Sequence, residues 1–172
     1  TTYTHDIFGK EVHKRLPSEI KEAIRESKSM YLTGLHGPDI LFYYQPLVKN
    51  RVSGLGHQVH KREAAEFFCQ AVVKYQEEPT AQMLSYLLGF GCHYILDSTC
   101  HPYVRRFEKE TGASHAEIES ELDRYYMLRR GKRPVHLQAG SKYLSHFGRL
   151  PDHKQGLWED YSETGGKSLK GA

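Results

Sequence analysis

The chain is short of the features that would place it at once. Cysteine is scarce, and Cys69, Cys92 and Cys100 form no CxxC motif and cannot all pair with one another. A disulfide scaffold is therefore not expected, and a reducing compartment is the simpler setting. Long apolar runs are missing too: none approaches the ~18 residues that a membrane-spanning helix needs. Charge of one sign is absent, because 24 Lys and Arg against 21 Asp and Glu leave only +3 at pH 7. That is too little to announce a nucleic-acid surface. The stretch from Thr1 to Lys10 lacks a basic segment followed by an apolar one, so no signal peptide is expected and the expected location is cytoplasmic. Neither an internal repeat nor a convincing strand pattern is present.

What remains is 172 residues, 38% apolar and 26% charged, the balance of a soluble domain with room for a core. Eleven histidines stand out. Histidine titrates near neutrality and binds metals, so their positions matter more than their number.

Helical spacing dominates the first 130 residues. His5, Phe8, Val12 and Leu16 recur every three or four positions, which predicts a helix ending at Pro17 with His5 facing inward. Ser18 is placed to cap a second helix with the stripe Ile20, Ile24, Ser27 and Tyr31, stopping near Gly34. GLHGPD, residues 34–39, reads as loop, and residues 40–56 have no clean period. Lys61 to Gln76 predicts a third helix with Ala65, Phe68, Val72 and Tyr75 on one face. Thr80 opens a fourth, apolar around most of its circumference and so expected at the centre. Pro102 is expected to end it near Cys100, leaving His101 in the exit turn. Ser114 with Glu117 forms a capping box for a fifth helix. These patterns predict an all-α fold of about five principal helices over residues 1–130. Residues 131–172 read as a short, poorly patterned C-terminal extension, with its end from about Ser162 disordered.

Two histidine–carboxylate pairs give the pattern chemical content. His93 and Asp97 lie four apart on the central helix, with His101 four further on, and His115 and Glu119 repeat the spacing on the capped helix. Residues four apart on a helix project side by side, and facing helices that carry such pairs are a way bundles build metal sites. One pair alone reads as a surface pair. Two pairs, a third histidine, an inward His5 and Asp39 behind a Gly-Pro turn are harder to explain so, because burying that many polar groups unligated costs several kcal/mol apiece, roughly.

GLHGPD, HYILDSTCHPYV and SHAEIESELD, taken in order, resemble the zinc-dependent phospholipase C family over residues 5–130. The resemblance implies a phospholipase C/P1 nuclease-like helical bundle around a cluster of two or three Zn²⁺. It implies one site with Asp39, His60, His93 and Asp97, a second with His101, His115 and Glu119, and a third that shares Asp97 and adds His5. His57 is an alternative to His60. Secreted members complete the third site with an N-terminal tryptophan, whereas this chain begins TTYTH. Three Zn²⁺ against Asp39, Asp97 and Glu119 would leave a local charge of +3, which suits a phosphate. The implied reaction is phosphodiester hydrolysis by zinc-bound hydroxide, with Asp39 as catalytic base or orienter as well as ligand.

Phe42, Tyr43 and Tyr44 follow Asp39. Tyr43 and Tyr44 are candidates to hold a choline headgroup by cation–π contact, although at least two of the three aromatics are expected in the core. The expected partner is a phospholipid or a small phosphodiester, with transient membrane-surface contact and homo-oligomer formation as further options. Two other readings stay open: an S1/P1-type single-strand nuclease, and a catalytically inactive metal-binding domain. Lys49, Arg51, Lys61 and Arg62 read as ordinary solvated charges, and His13, His36, His136, His146 and His153 as surface or loop residues. His36 is close enough to Asp39 to orient it through a hydrogen bond.

Overall fold

The computed structural model describes residues 2–45, 47–60 and 62–132. The expected C-terminal extension, with His136, His146 and His153, lies outside the described residues apart from Gly131 and Lys132. Among the described residues the regular secondary structure is all helical. α1 spans Thr2–Arg15, α2 Ser18–Glu26, α3 Lys28–Gly34, a 3-10 helix Gly37–Tyr43, α4 Arg51–Val59, α5 Ala64–Glu77, α6 Ala81–Thr111 and α7 His115–Arg129.

α6 is the axis of the assembly. Thr80 caps its start by accepting a hydrogen bond from the Met83 N–H, and Gly112 ends it in the left-handed conformation, φ 72°. α1, α2, α3, α5, α7 and the 3-10 helix all pack against it. The helix does not stop at Cys100. Pro102 lies inside it, removing the N–H that would bond the Ser98 carbonyl at a typical cost of about 3 kcal/mol. Cys100 and Val104 are both buried on the continuing helix, and that packing outweighs the local penalty. His101 is therefore helical, one turn beyond Asp97, and not in an exit turn.

The helix expected from Ser18 to Gly34 is broken at Ser27, φ −130° and ψ 44°, into α2 and α3. Ile24, Ser27 and Tyr31 are nonetheless all buried, since the stripe keeps its spacing across the break. Ser18 is the first helical residue and not the cap; Pro17 takes that place without a side-chain bond. Ile24, Tyr31, Leu35 and Cys92 form the core, with Phe8, Val12, Leu16, Ile20 and Leu88 packed around it.

Two glycines let α3 and α6 touch backbone to backbone. A Cβ on Gly34 would lie 2.3 Å from the Tyr86 carbonyl oxygen, and one on Gly89 2.2 Å from that of Tyr31. This close crossing carries the Leu35 carbonyl to the side of His93. The segment expected to be irregular contains the 3-10 helix and α4, the latter opened by a capping box between Asn50 and Ser53. On α5 Phe68 and Tyr75 are half-buried as expected, but Ala71 is buried in place of Val72, which is 51% exposed.

α1 is held from outside itself. The Asp123 carboxylate of α7 accepts hydrogen bonds from Tyr3 N at 3.0 Å, Thr4 N at 2.8 Å and Thr4 Oγ1 at 2.6 Å. A carboxylate there satisfies orphan amides and complements the positive end of the helix. That fixes the first turn of α1, and His5 with it.

Candidate metal centre

The fold brings together all eight residues singled out for a metal cluster. Ligand-capable atoms within 4.8 Å of one another define three groups: His5, His93 and Asp97; Asp39, His60 and His93; His101, His115 and Glu119. Asp97 joins the first and third. Its Oδ1 is 3.0 Å from His5 Nε2 and 3.5 Å from His101 Nε2, and its Oδ2 is 3.1 Å from His93 Nε2. His101 Nε2 also lies 3.4 Å from Glu119 Oε1, and His115 Nε2 3.0 Å from the same oxygen. Asp97 sits with His5 and His93, while the Asp39 group closes without it. His93 is thus the residue common to two groups.

Each imidazole has a reason for its orientation. His93 Nδ1 donates to the Leu35 carbonyl at 3.2 Å, and His60 Nδ1 to the Gly56 carbonyl at 2.8 Å. A neutral ring that gives its Nδ1 proton to a carbonyl keeps Nε2 as a bare lone pair, the form that binds metal; in the metal-free chain His60 Nε2 instead donates to Asp39 Oδ1 at 3.0 Å. His93 Nε2 is buried and makes no hydrogen bond, although a carboxylate oxygen lies 3.1 Å away. The approach is close but off-axis. A buried lone pair facing anionic oxygens is costly unless a cation lies between them. The donor set, imidazole nitrogens with carboxylate oxygens, fits zinc.

Electrostatics in the metal-free chain follow from these contacts. Burial opposes ionisation of Asp97, but the hydrogen bond with His5 and the electrostatic attraction of His93 and His5 outweigh it and hold the carboxyl well below the usual range. Burial likewise opposes ionisation of Asp39 and Glu119, yet Asp39 is lowered by His60, and Glu119 is lowered to about 2 by His101 and neighbouring positive charge. The hydrogen bond to Asp39 raises His60, and that to Glu119 raises His101.

Gly37 closes the site from one side. Its φ is +52°, and an added Cβ would lie 2.3 Å from His93 Cδ2. Within GLHGPD, then, the second glycine permits both the turn and the contact with the ring. His60 caps the C-terminus of α4, four residues before α5 begins. His57 instead packs its ring 4.8 Å from that of Phe42 and belongs to none of the three groups. His36 bonds through its backbone carbonyl to the Asp39 N–H at 3.0 Å, and its ring meets Tyr43 edge-on.

A cavity of about 380 Å³ opens onto the centre, with His60, His93, Asp97 and His101 in its wall. Phe67, Phe90 and Tyr94 line its apolar side, and Phe67 stacks on Phe90 at 4.4 Å. No sequence motif marks these rings, although Phe90 and Tyr94 share the face of α6 that carries His93, Asp97 and His101. Tyr43 and Tyr44 are not in that wall. They are 51% and 54% exposed, so the expectation that at least two of Phe42, Tyr43 and Tyr44 are core is corrected: Phe42 alone turns inward, against Gly56.

A family model described as zinc-dependent phospholipase C matches residues 4–162. No curated protein and no solved structure matches the chain.

Proposed function

Because the chain belongs to the zinc-dependent phospholipase C family, we propose that it hydrolyses a phosphodiester, in the first instance a phospholipid cleaved on the glycerol side of its phosphate. The observation that carries this reading is the arrangement of three residue triads around Asp97 and His93. A zinc held by three protein groups keeps a coordination position for water or substrate, whereas a structural zinc is closed by four. The triads therefore favour chemistry over a purely structural role.

His5, His93 and Asp97, then Asp39, His60 and His93, then His101, His115 and Glu119 are the groups that would hold two or three zinc ions, with the single Nε2 lone pair of His93 serving only one of the first two groups. Bound there, zinc would polarise phosphoryl oxygens and make water nucleophilic near neutral pH. The chain's own residues do the rest. Leu35 and Gly56 carbonyls orient His93 and His60 before any ligand arrives. Asp39, held ionised beside His60, would orient the attacking water and accept its proton. The wall of Phe67, Phe90 and Tyr94 excludes water from one side of the phosphate and offers an apolar surface to the lipid part.

The test is hydrolysis of phosphatidylcholine, a generic water-soluble phosphodiester and single-stranded DNA by the zinc-loaded chain. The expected result is diacylglycerol and a phosphorylated headgroup from the first, abolished by a chelator and restored by zinc. Hydrolysis of DNA alone would move the reading to a nuclease. Zinc bound without turnover of any substrate would overturn the catalytic reading.

A further inference from the structure

The stretch 40–62, between Asp39 and Glu63, contains no acidic residue but four basic ones, Lys49, Arg51, Lys61 and Arg62. It also carries apolar side chains that the fold leaves outside. Leu47 is 97% exposed and Val48 62%, with Tyr43 and Tyr44 each more than half exposed. Scattered exposed apolar residues need no explanation, but four clustered at the end of the 3-10 helix and in the turn after it do. The loop is held in shape. Asn50 Nδ2 donates to the carbonyls of Tyr44 at 3.0 Å and Val48 at 2.9 Å. The same residue caps α4, and the Tyr43 hydroxyl hydrogen-bonds Thr2 Oγ1 at 2.7 Å. Exposed leucine and valine are thus presented on a braced turn.

We propose that this loop docks the protein on an anionic phospholipid bilayer, seating Tyr43, Tyr44, Leu47 and Val48 in the headgroup layer while Lys49 and Arg51 face lipid phosphates. Apolar tips flanked by basic residues, with no acid among them, have the complementarity such a surface requires. Tyrosine suits the position because its ring is apolar and its hydroxyl stays wet. A nucleic acid fits less well, since Leu47 and Val48 have no ring face on which a base could stack. The inference rests on the phospholipase reading for its purpose: Asp39 is on the same 3-10 helix as Tyr43, so docking would bring the metal centre to its substrate.

The experiment is sedimentation of the full chain with vesicles of phosphatidylcholine alone and of phosphatidylcholine mixed with phosphatidylglycerol, at low and high salt. The expected result is binding to the anionic vesicles that weakens with salt. Leu47→Glu should lower it about tenfold, and neutralisation by Lys49→Gln and Arg51→Gln about fivefold for each residue. Leu47→Glu should leave thermal unfolding and hydrolysis of a water-soluble phosphodiester unchanged. Absence of vesicle binding, or equal binding by wild type and Leu47→Glu, would overturn the proposal. So would a dimer in solution, or binding to a single-stranded oligonucleotide, that Leu47→Glu abolishes while vesicle binding persists. Vesicle binding without hydrolysis of any substrate would keep the docking loop and overturn the phospholipase reading; hydrolysis of the soluble substrate with no vesicle binding would do the reverse.

Discussion

His5 and His93, 88 positions apart in the chain, stack with ring centroids 4.4 Å apart and an interplanar angle of 20°, and both direct Nε2 at the carboxylate of Asp97. The same carboxylate also lies 3.5 Å from His101 Nε2, so it borders both the His5 group and the His101 group. Asp97 should therefore hold more than one ion in place. Asp97→Ala is expected to lose more than one equivalent of zinc, read by elemental analysis after gel filtration; wild-type zinc content in that variant would contradict the shared role.

Gly37 should tolerate no side chain. Ala there meets a positive φ and the His93 ring together, and the expected penalty is about 2–4 kcal/mol in urea unfolding, with loss of zinc. Gly54 is the control. It lies within α4 with nothing near its Cβ position, so Gly54→Ala should stabilise by about 0.5–1 kcal/mol. Equal effects at both positions would contradict the reading of Gly37.

Asp123 acts on the centre from a distance. Asp123→Ala removes three hydrogen bonds to the first turn of α1, and the expected loss is about 1–2 kcal/mol. Amide exchange should quicken at Tyr3 and Thr4 first, and zinc should be lost from the His5 group before the other two. Uniform faster exchange along the whole chain would instead point to a general loss of stability.

Proton competition sets the pH dependence. In the metal-free chain, His60 and His101 are raised by Asp39 and Glu119. Their contribution to stability is complete below the ordinary histidine value, about 6.5, and fades as pH rises through the elevated ones. Asp97, Asp39 and Glu119 are lowered; their contribution is present above the ordinary carboxylate range, about 4, and fades as pH falls through the lowered values. Zinc needs neutral imidazoles, so its affinity should climb as pH rises from about 6.5. Calorimetry in buffers of different ionisation heat should show protons released near neutrality, up to about two from these histidines. Zinc binding with no proton release would contradict this.

Much of the centre was legible because its chemistry is written in helical spacing. His93, Asp97 and His101 on α6, and His115 and Glu119 on α7, are neighbours by the geometry of one turn, and the Ser114 cap fixes where α7 starts. His5 was readable as inward from its stripe. Contacts between elements were not readable in the same way. Nothing in residues 34–37 says that Leu35 will present its carbonyl to His93, or that Gly34 and Gly89 will cross. Pro102 misled because local preference opposes a helix there, while the packing of Cys100 and Val104 favours one. Asp123 was missed because it caps a helix more than a hundred residues earlier in the chain.

The central claim is that five imidazoles and three carboxylates hold a zinc cluster. Elemental analysis of the full chain, purified without chelator, tests it most directly. Two to three zinc ions per chain is the predicted result, and a chain that carries none after exposure to zinc at neutral pH would contradict the claim.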